Sequence, residues 1–285
     1  MKGRICLVTG ATAGIGKATA RDLAARGATV VLVARDRKKG DAAVAEIRAA
    51  TGNDAVSLLE CDFASQASIR RLASAYRERF DRLHVLVNNA GAIQGERRLT
   101  EDGLESTFAI NHVGYFLLTT LLLDVLRASA PARIVNVASA IHMGAKLDLD
   151  QVAKGASSYS PMRVYGTSKL ANVLFSAELA RRLEGQGVTS NALHPGVVST
   201  SFGDSGEGWM RFGLKIVRPF LIGPEEGAAT SIHLASSPEV EGVTGKYFAK
   251  KKVARVDRRA DDHALRAGLW ELSERLVAAS HPSTP

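Results

Sequence analysis

The 285 residues, 46% hydrophobic and 23% charged, have ordinary globular composition and enough apolar material for one large α/β domain spanning 1–285. The net charge of +8 invites a nucleic-acid reading, but Arg70-Arg71, Arg97-Arg98, Arg181-Arg182 and Lys250-Lys251-Lys252 are scattered and lack interleaved aromatics, so solvated helix faces account for them and nucleic acid is not expected as a partner. Two cysteines, Cys6 and Cys61, each in an apolar run, rule out a disulfide framework; the longest apolar stretch, 113–125, is too short to span a bilayer, and residues 1–9 read as a strand without signal-peptide layout, so a cytoplasmic protein without a membrane span is expected.

In chain order, β-branched runs at 4–9, 29–34, 56–61, 85–88, 133–139, 189–194 and 245–248 alternate with helical periodicity at 16–26, 42–50, 66–79, 103–127, 162–183, 225–235 and 261–279. That alternation predicts a Rossmann-like, doubly wound and mostly parallel sheet of about seven strands with helices on both faces. The segment 199–224 fits neither period. It is first rich in Gly and Ser, then apolar, and it follows a strand end, so it is expected to form a substrate lid bearing Phe202, Trp209 and Phe212.

The first strand ends in Thr9-Gly10-Ala11-Thr12-Ala13-Gly14-Ile15-Gly16. Between strand and helix, glycines permit a tight turn and close approach of a pyrophosphate, and the helix N-terminus offers free N–H groups. Further on come Asn88-Asn89-Ala90-Gly91 after the fourth strand and Ser139 closing the fifth. Tyr165-Gly166-Thr167-Ser168-Lys169 lies in the next helix, and Pro195-Gly196 follows the sixth strand. Tyr165 and Lys169, four apart, share a helix face, where an ammonium below a phenol would favour phenolate. Ser139 can hold a carbonyl oxygen by a hydrogen bond. No metal-ligand pattern is present.

These motifs, in this order and across essentially the whole chain, resemble the T-G-x-x-x-G-x-G and Y-x-x-x-K signatures of the short-chain dehydrogenases and reductases. The resemblance implies hydride transfer between NADP(H) or NAD(H) and the carbonyl or alcohol of a small molecule, with Tyr165 as general acid/base and Ser139 orienting the substrate. The apolar lid predicts that this substrate is bulky and hydrophobic. Lys169 would hold the nicotinamide ribose, and Asn111 would support a proton relay. Gly10, Thr12, Ala13, Gly14, Ile15, Gly16, Asp62, Phe63, Asn89, Ala90, Gly91, Tyr165, Lys169, Pro195, Gly196, Val198 and Thr200 would contact the dinucleotide. Arg35 stands after the second strand, where an acid would select NAD, so NADP(H) is expected; Asp36 beside it keeps NAD(H) open.

Ser168-Lys169-Leu170-Ala171-Asn172, His194-Pro195-Gly196-Val197-Val198 and Gly268-Leu269-Trp270-Glu271 further resemble the retinol dehydrogenase and protochlorophyllide reductase branch. Asn172, His142 and His194 are expected to pack or cap. Non-redox chemistry on the same scaffold, and a dinucleotide-sensing protein, are the rival readings. The resemblance also implies a homodimer or homotetramer built through the helices at 103–127 and 162–183.

Overall fold

A computed structural model describes residues 1–155, 158–196 and 222–278. The sheet has eight strands: β1 (Ile5–Thr9), β2 (Thr29–Ala34), β3 (Val56–Glu60), β4 (Val85–Asn88), β5 (Ala132–Val137), β6 (Val188–His194), β7 (Tyr247–Ala249) and β8 (Lys252–Val253). Their order is β3-β2-β1-β4-β5-β6-β7-β8, all parallel except the β7–β8 hairpin. Strand order reverses between β1 and β4, and in open α/β sheets ligands bind beyond the carboxyl ends of the strands at such a reversal.

Alternation along single strands explains the two helical layers. Leu7, Val31 and Val33 enter one core with Ile69 and Leu72 of α3 (Gln66–Arg79), Phe116, and Phe175. Cys6, Val8, Val30 and Leu32 enter the other with Leu23 of α1 (Gly14–Ala25), Ile47 of α2 (Arg37–Thr51), and Leu234. Both faces of β1 and β2 are therefore dry, which is why their runs read as continuously apolar. Both cysteines are buried free thiols, pushed up to about 12 by desolvation.

The single helix expected at 103–127 is broken. It comprises α4 (Ser106–Phe108), a π turn (Ala109–Val113), α5 (Gly114–Leu121) and α6 (Leu123–Ala128). Buried Glu105 starts it, its carboxylate accepting from the Thr107 and Phe108 N–H groups at 3.0 and 2.8 Å. The remaining helices are α7 (Pro161–Arg182), α8 (Pro224–Ser236) and α9 (His263–Ala278). The eighth strand went unforeseen because its hairpin turns on Lys250 and Lys251 at φ 50° and 64°, where Gly or Asn would normally mark a turn. The helix α9 lies across α5 and α7, where the Trp270 ring meets Phe116 at 4.9 Å and Phe175 at 6.0 Å between centroids. No helix among the described residues is long and apolar enough to cross a membrane.

Candidate active site

The glycine-rich turn between β1 and α1 is crowded on its protein side. Gly10 takes φ +64°, and a Cβ on it would stand 2.8 Å from the Ala90 Cα; a Cβ on Gly16 would collide with the Gly10 carbonyl oxygen and the Asn89 amide. Asn89 closes this packing, its Nδ2 donating to the Thr9 and Gly10 carbonyls at 2.8 and 3.2 Å. In return the Asn89 and Ala90 N–H groups donate to Thr9 Oγ1 at 2.8 and 2.9 Å. The outward side is open: Ala13 at the start of α1 supplies no side-chain cap, and no acid stands in the first turn. Uncapped N–H groups behind a glycine cradle fit a dinucleotide pyrophosphate. Thr12, Ala13, Gly14 and Ile15 border that opening, none fully buried.

The π turn presents Asn111 inward, fully buried. Its Oδ1 accepts from Ala92 N at 2.7 Å, and its Nδ2 donates to Ala92 O at 2.9 Å and Ser168 Oγ at 3.0 Å. Ser168 Oγ donates in turn to Tyr165 O at 2.7 Å, so Asn111 is tied to the helix that carries Tyr165 and Lys169. Lys169 is buried, its Nζ donating to Val137 O at 3.0 Å and lying 5.5 Å from the Tyr165 ring centroid. Ser139 falls two residues beyond the end of β5, not within it, and its hydroxyl lies near enough to the Tyr165 phenol to lower its pKa. Thus Ser139, Tyr165, Lys169 and Asn111, from three separate segments, come to one place beside the glycine turn.

Residues 4–209 match the short chain dehydrogenase family. The chain belongs to the short-chain dehydrogenases. It is 43% identical to human retinol dehydrogenase 13, covering 99% of this chain and 86% of that protein, and 42% identical to mouse retinol dehydrogenase 12, covering 96% and 86%. Among solved structures it is similar to an uncharacterized protein from Mycobacterium Paratuberculosis (32% identity, 97% and 94% covered, TM-score 0.78). It is also similar to the Pseudomonas aeruginosa RhlG/NADP active-site complex (30% identity, 87% and 94% covered, TM-score 0.69). As a short-chain dehydrogenase it is an NAD(P)-dependent oxidoreductase acting on alcohol or carbonyl groups.

The electrostatics of the short-chain dehydrogenase site differ from the sequence expectation. Burial lowers the Lys169 ammonium to about 7 and pushes the Tyr165 phenol up to about 12, with Ser139 pulling the phenol back only in part. Desolvation outweighs charge here, because Lys169 Nζ sits over the ring and is spent on the Val137 carbonyl. Tyr165 is therefore a phenol at neutral pH, the form that gives a proton.

Around this centre, Arg35 is exposed and has no ion-pair partner among the described residues, whereas Asp36 caps α2 by accepting from Lys39 N at 3.0 Å. Asp62 turns its carboxylate onto Ala64 N at 3.0 Å. Phe63, expected to contact the dinucleotide, has its ring buried in the core, where a Cβ on Gly114 would come 2.6 Å from it; that leaves its main chain to meet a ligand. Gly91 borders Lys169 and Asn111. Pro195 and Gly196, the latter at φ +98°, follow β6 at the same edge. Val198, Thr200, Phe202, Trp209, Phe212 and most of the lid segment lie outside the described residues. Sequence reasoning assigned no role to Thr9 and Ser168, whose hydroxyls hold Asn89, Ala90 and Asn111 and carry no signal of their own beyond adjacency to the motifs.

Proposed function

We propose that this protein is an NADPH-dependent reductase, or in reverse an NADP⁺-dependent dehydrogenase, of an apolar aldehyde, ketone or alcohol of retinoid-like character. The observation that carries the reading is the meeting of the Ser139 hydroxyl, the Tyr165 phenol and the buried Lys169 beside an open, glycine-lined helix N-terminus. A bound reduced nicotinamide supplies the hydride. Ser139 donates a hydrogen bond to the substrate oxygen and holds it against Tyr165, and Tyr165 gives that oxygen its phenolic proton. Lys169 and Asn111 keep a donor network behind the phenol. Gly10, Gly14 and Gly16 would take the pyrophosphate, and Pro195, Gly196, Val198 and Thr200 the nicotinamide side.

NADPH is favoured because the free guanidinium of Arg35 suits a 2′-phosphate while Asp36 is occupied as a helix cap. Apolar substrates are favoured because Met143 and Met162, on the segments flanking Ser139 and Tyr165, stay half-exposed, and because the relatives are retinol dehydrogenases. A homodimer through α5 and α7 would have to include α9, whose Trp270 covers part of that face. The test is NADPH oxidation with all-trans-retinal inside a panel of carbonyls, in the parent and in Tyr165→Phe. Turnover that the substitution abolishes supports the reading. NADPH binding without turnover of any carbonyl would favour non-redox chemistry or a sensor.

A further inference from the structure

Three residues after Ser139, the chain buries a histidine that the reaction does not touch. His142 is fully buried, and its Nδ1 lies 2.7 Å from the carbonyl oxygen of Ser139. Its Nε2 lies 3.3 Å from the main-chain N–H of Asp257. A carbonyl can only accept and an N–H can only donate, so the ring must carry its proton on Nδ1 and be neutral. The Tyr247 ring meets it edge-on, 4.7 Å away between centroids.

The far end of this bridge is itself fixed. Asp257 is paired with Arg259 at 2.7 and 2.8 Å and accepts from Gly144 N at 3.1 Å, so one segment after β8 grips the Ser139 loop at both His142 and Gly144. On its other side the loop rests on α7: Thr167 Oγ1 donates to Lys146 O at 2.7 Å, and a Cβ on Gly166 would lie 3.4 Å from the Ile141 carbonyl. The chain between β5 and α7 is thus clamped between the Tyr165 helix and the 257–259 segment, with His142 as the peg nearest Ser139.

We propose that His142 is a positioning residue, whose neutral imidazole bridges the Ser139 carbonyl to the Asp257 main chain and so sets the Ser139 hydroxyl against Tyr165. This rests on the reading of Ser139 and Tyr165 as the reacting pair. The groups facing the ring are Asp257 and Arg259 after β8, Tyr247 on β7 and His194 at the end of β6. Burial, the largest influence, holds His142 below its ordinary 6.5, with the Ser139 carbonyl and Asp257 opposing and Arg259 assisting. Protonation would set an N–H on Nε2 against the Asp257 N–H. Activity should therefore fall on the acid side, as pH drops through this lowered value.

Two measurements test it. In spectra of protein labelled with ¹⁵N-histidine, the His142 ring is expected to be neutral and Nδ1-protonated at pH 7; a charged or Nε2-protonated ring overturns the inference. With NADPH and the carbonyl found by the panel above, His142→Ala should lower kcat roughly 10- to 100-fold, the scale on which outer hydrogen-bond partners act, with NADPH affinity unchanged. His142→Asn offers a non-titrating N–H at the Nδ1 position but no acceptor for the Asp257 N–H, so it should restore part of kcat and lose the acid limb of the parent. Parental kcat in His142→Ala, or the parental acid limb kept in His142→Asn, overturns the proposal. If the Ala variant does not fold, the pH profile of the Asn variant decides. Turnover persisting in Tyr165→Phe would instead sink the underlying reading, whereas a dead Tyr165→Phe beside an indifferent His142 sinks this inference alone.

Discussion

The two edges of the sheet differ in what they do with their polar groups. At the amino edge lies a cavity of about 610 Å³, bordered by Arg4, His84, Arg133, Glu184 and Glu241. Yet its basic side chains are spent on the protein itself: Arg133 donates to Leu234 O and Ser237 O at 3.2 and 2.8 Å, Arg4 donates to Pro131 O at 3.1 Å, and the His84 ring accepts from Ile5 N at 3.0 Å. At the carboxyl edge the groups left over are those that can do chemistry, an uncapped helix and a largely buried phenol beside a serine hydroxyl, with the Lys169 ammonium behind them donating to Val137 O. Cavity size is a poor guide here; free hydrogen-bonding capacity is the better one.

The strongest challenge to this contrast is Tyr165→Phe. Removing a positioned general acid should lower kcat by ~10² to 10⁴, while NADPH binding, followed by its fluorescence, persists because the glycine cradle is untouched. Parental turnover in that variant would leave the two edges indistinguishable by function.

Lys169 separates stability from activity. Burial lowers it from 10.5 to about 7, so between those values the unfolded chain binds a proton that the folded chain does not. Stability of the cofactor-free parent therefore rises with pH across that window, and below about 7 the full penalty of a buried ammonium stands. Lys169→Met should be more stable than the parent at pH 7 and nearly inactive. Its advantage should shrink by up to about 1.4 kcal/mol per pH unit towards 10.5, as read by denaturant melts; an advantage independent of pH would show that the ammonium is not the cause.

Arg35→Ala should weaken NADPH binding by about 1.5 to 3 kcal/mol and leave NADH nearly unchanged, measured by titration of both. Equal losses for the two cofactors would move the 2′-phosphate contact elsewhere. At the amino edge the smallest effect is expected: Arg133→Leu should cost about 1 kcal/mol of stability and leave kcat and KM at parental values. A kinetic defect there would mean that the amino-edge cavity takes part in function after all.

Much of this was legible in the chain. β-Branched runs buried on both faces specify parallel strands wherever they pack, and the glycine turn, Asn89, Ser139, Tyr165 and Lys169 sit at spacings that local geometry alone makes meaningful. Only the tertiary structure decided the rest, because it depends on groups brought together from far along the chain. The π turn that aims Asn111 at Ala92 and Ser168 breaks what periodicity reads as one helix. Phe63 is claimed by the core because Gly114 leaves it room. The direction of the Tyr165 and Lys169 shifts follows from desolvation, which no spacing encodes. His142 reads as a packing residue until Asp257, more than a hundred positions away, supplies the second hydrogen bond that fixes its tautomer. Periodicity and short motifs report neighbours within a few residues; solvent exclusion and long-range hydrogen bonds exist only once the chain has closed on itself.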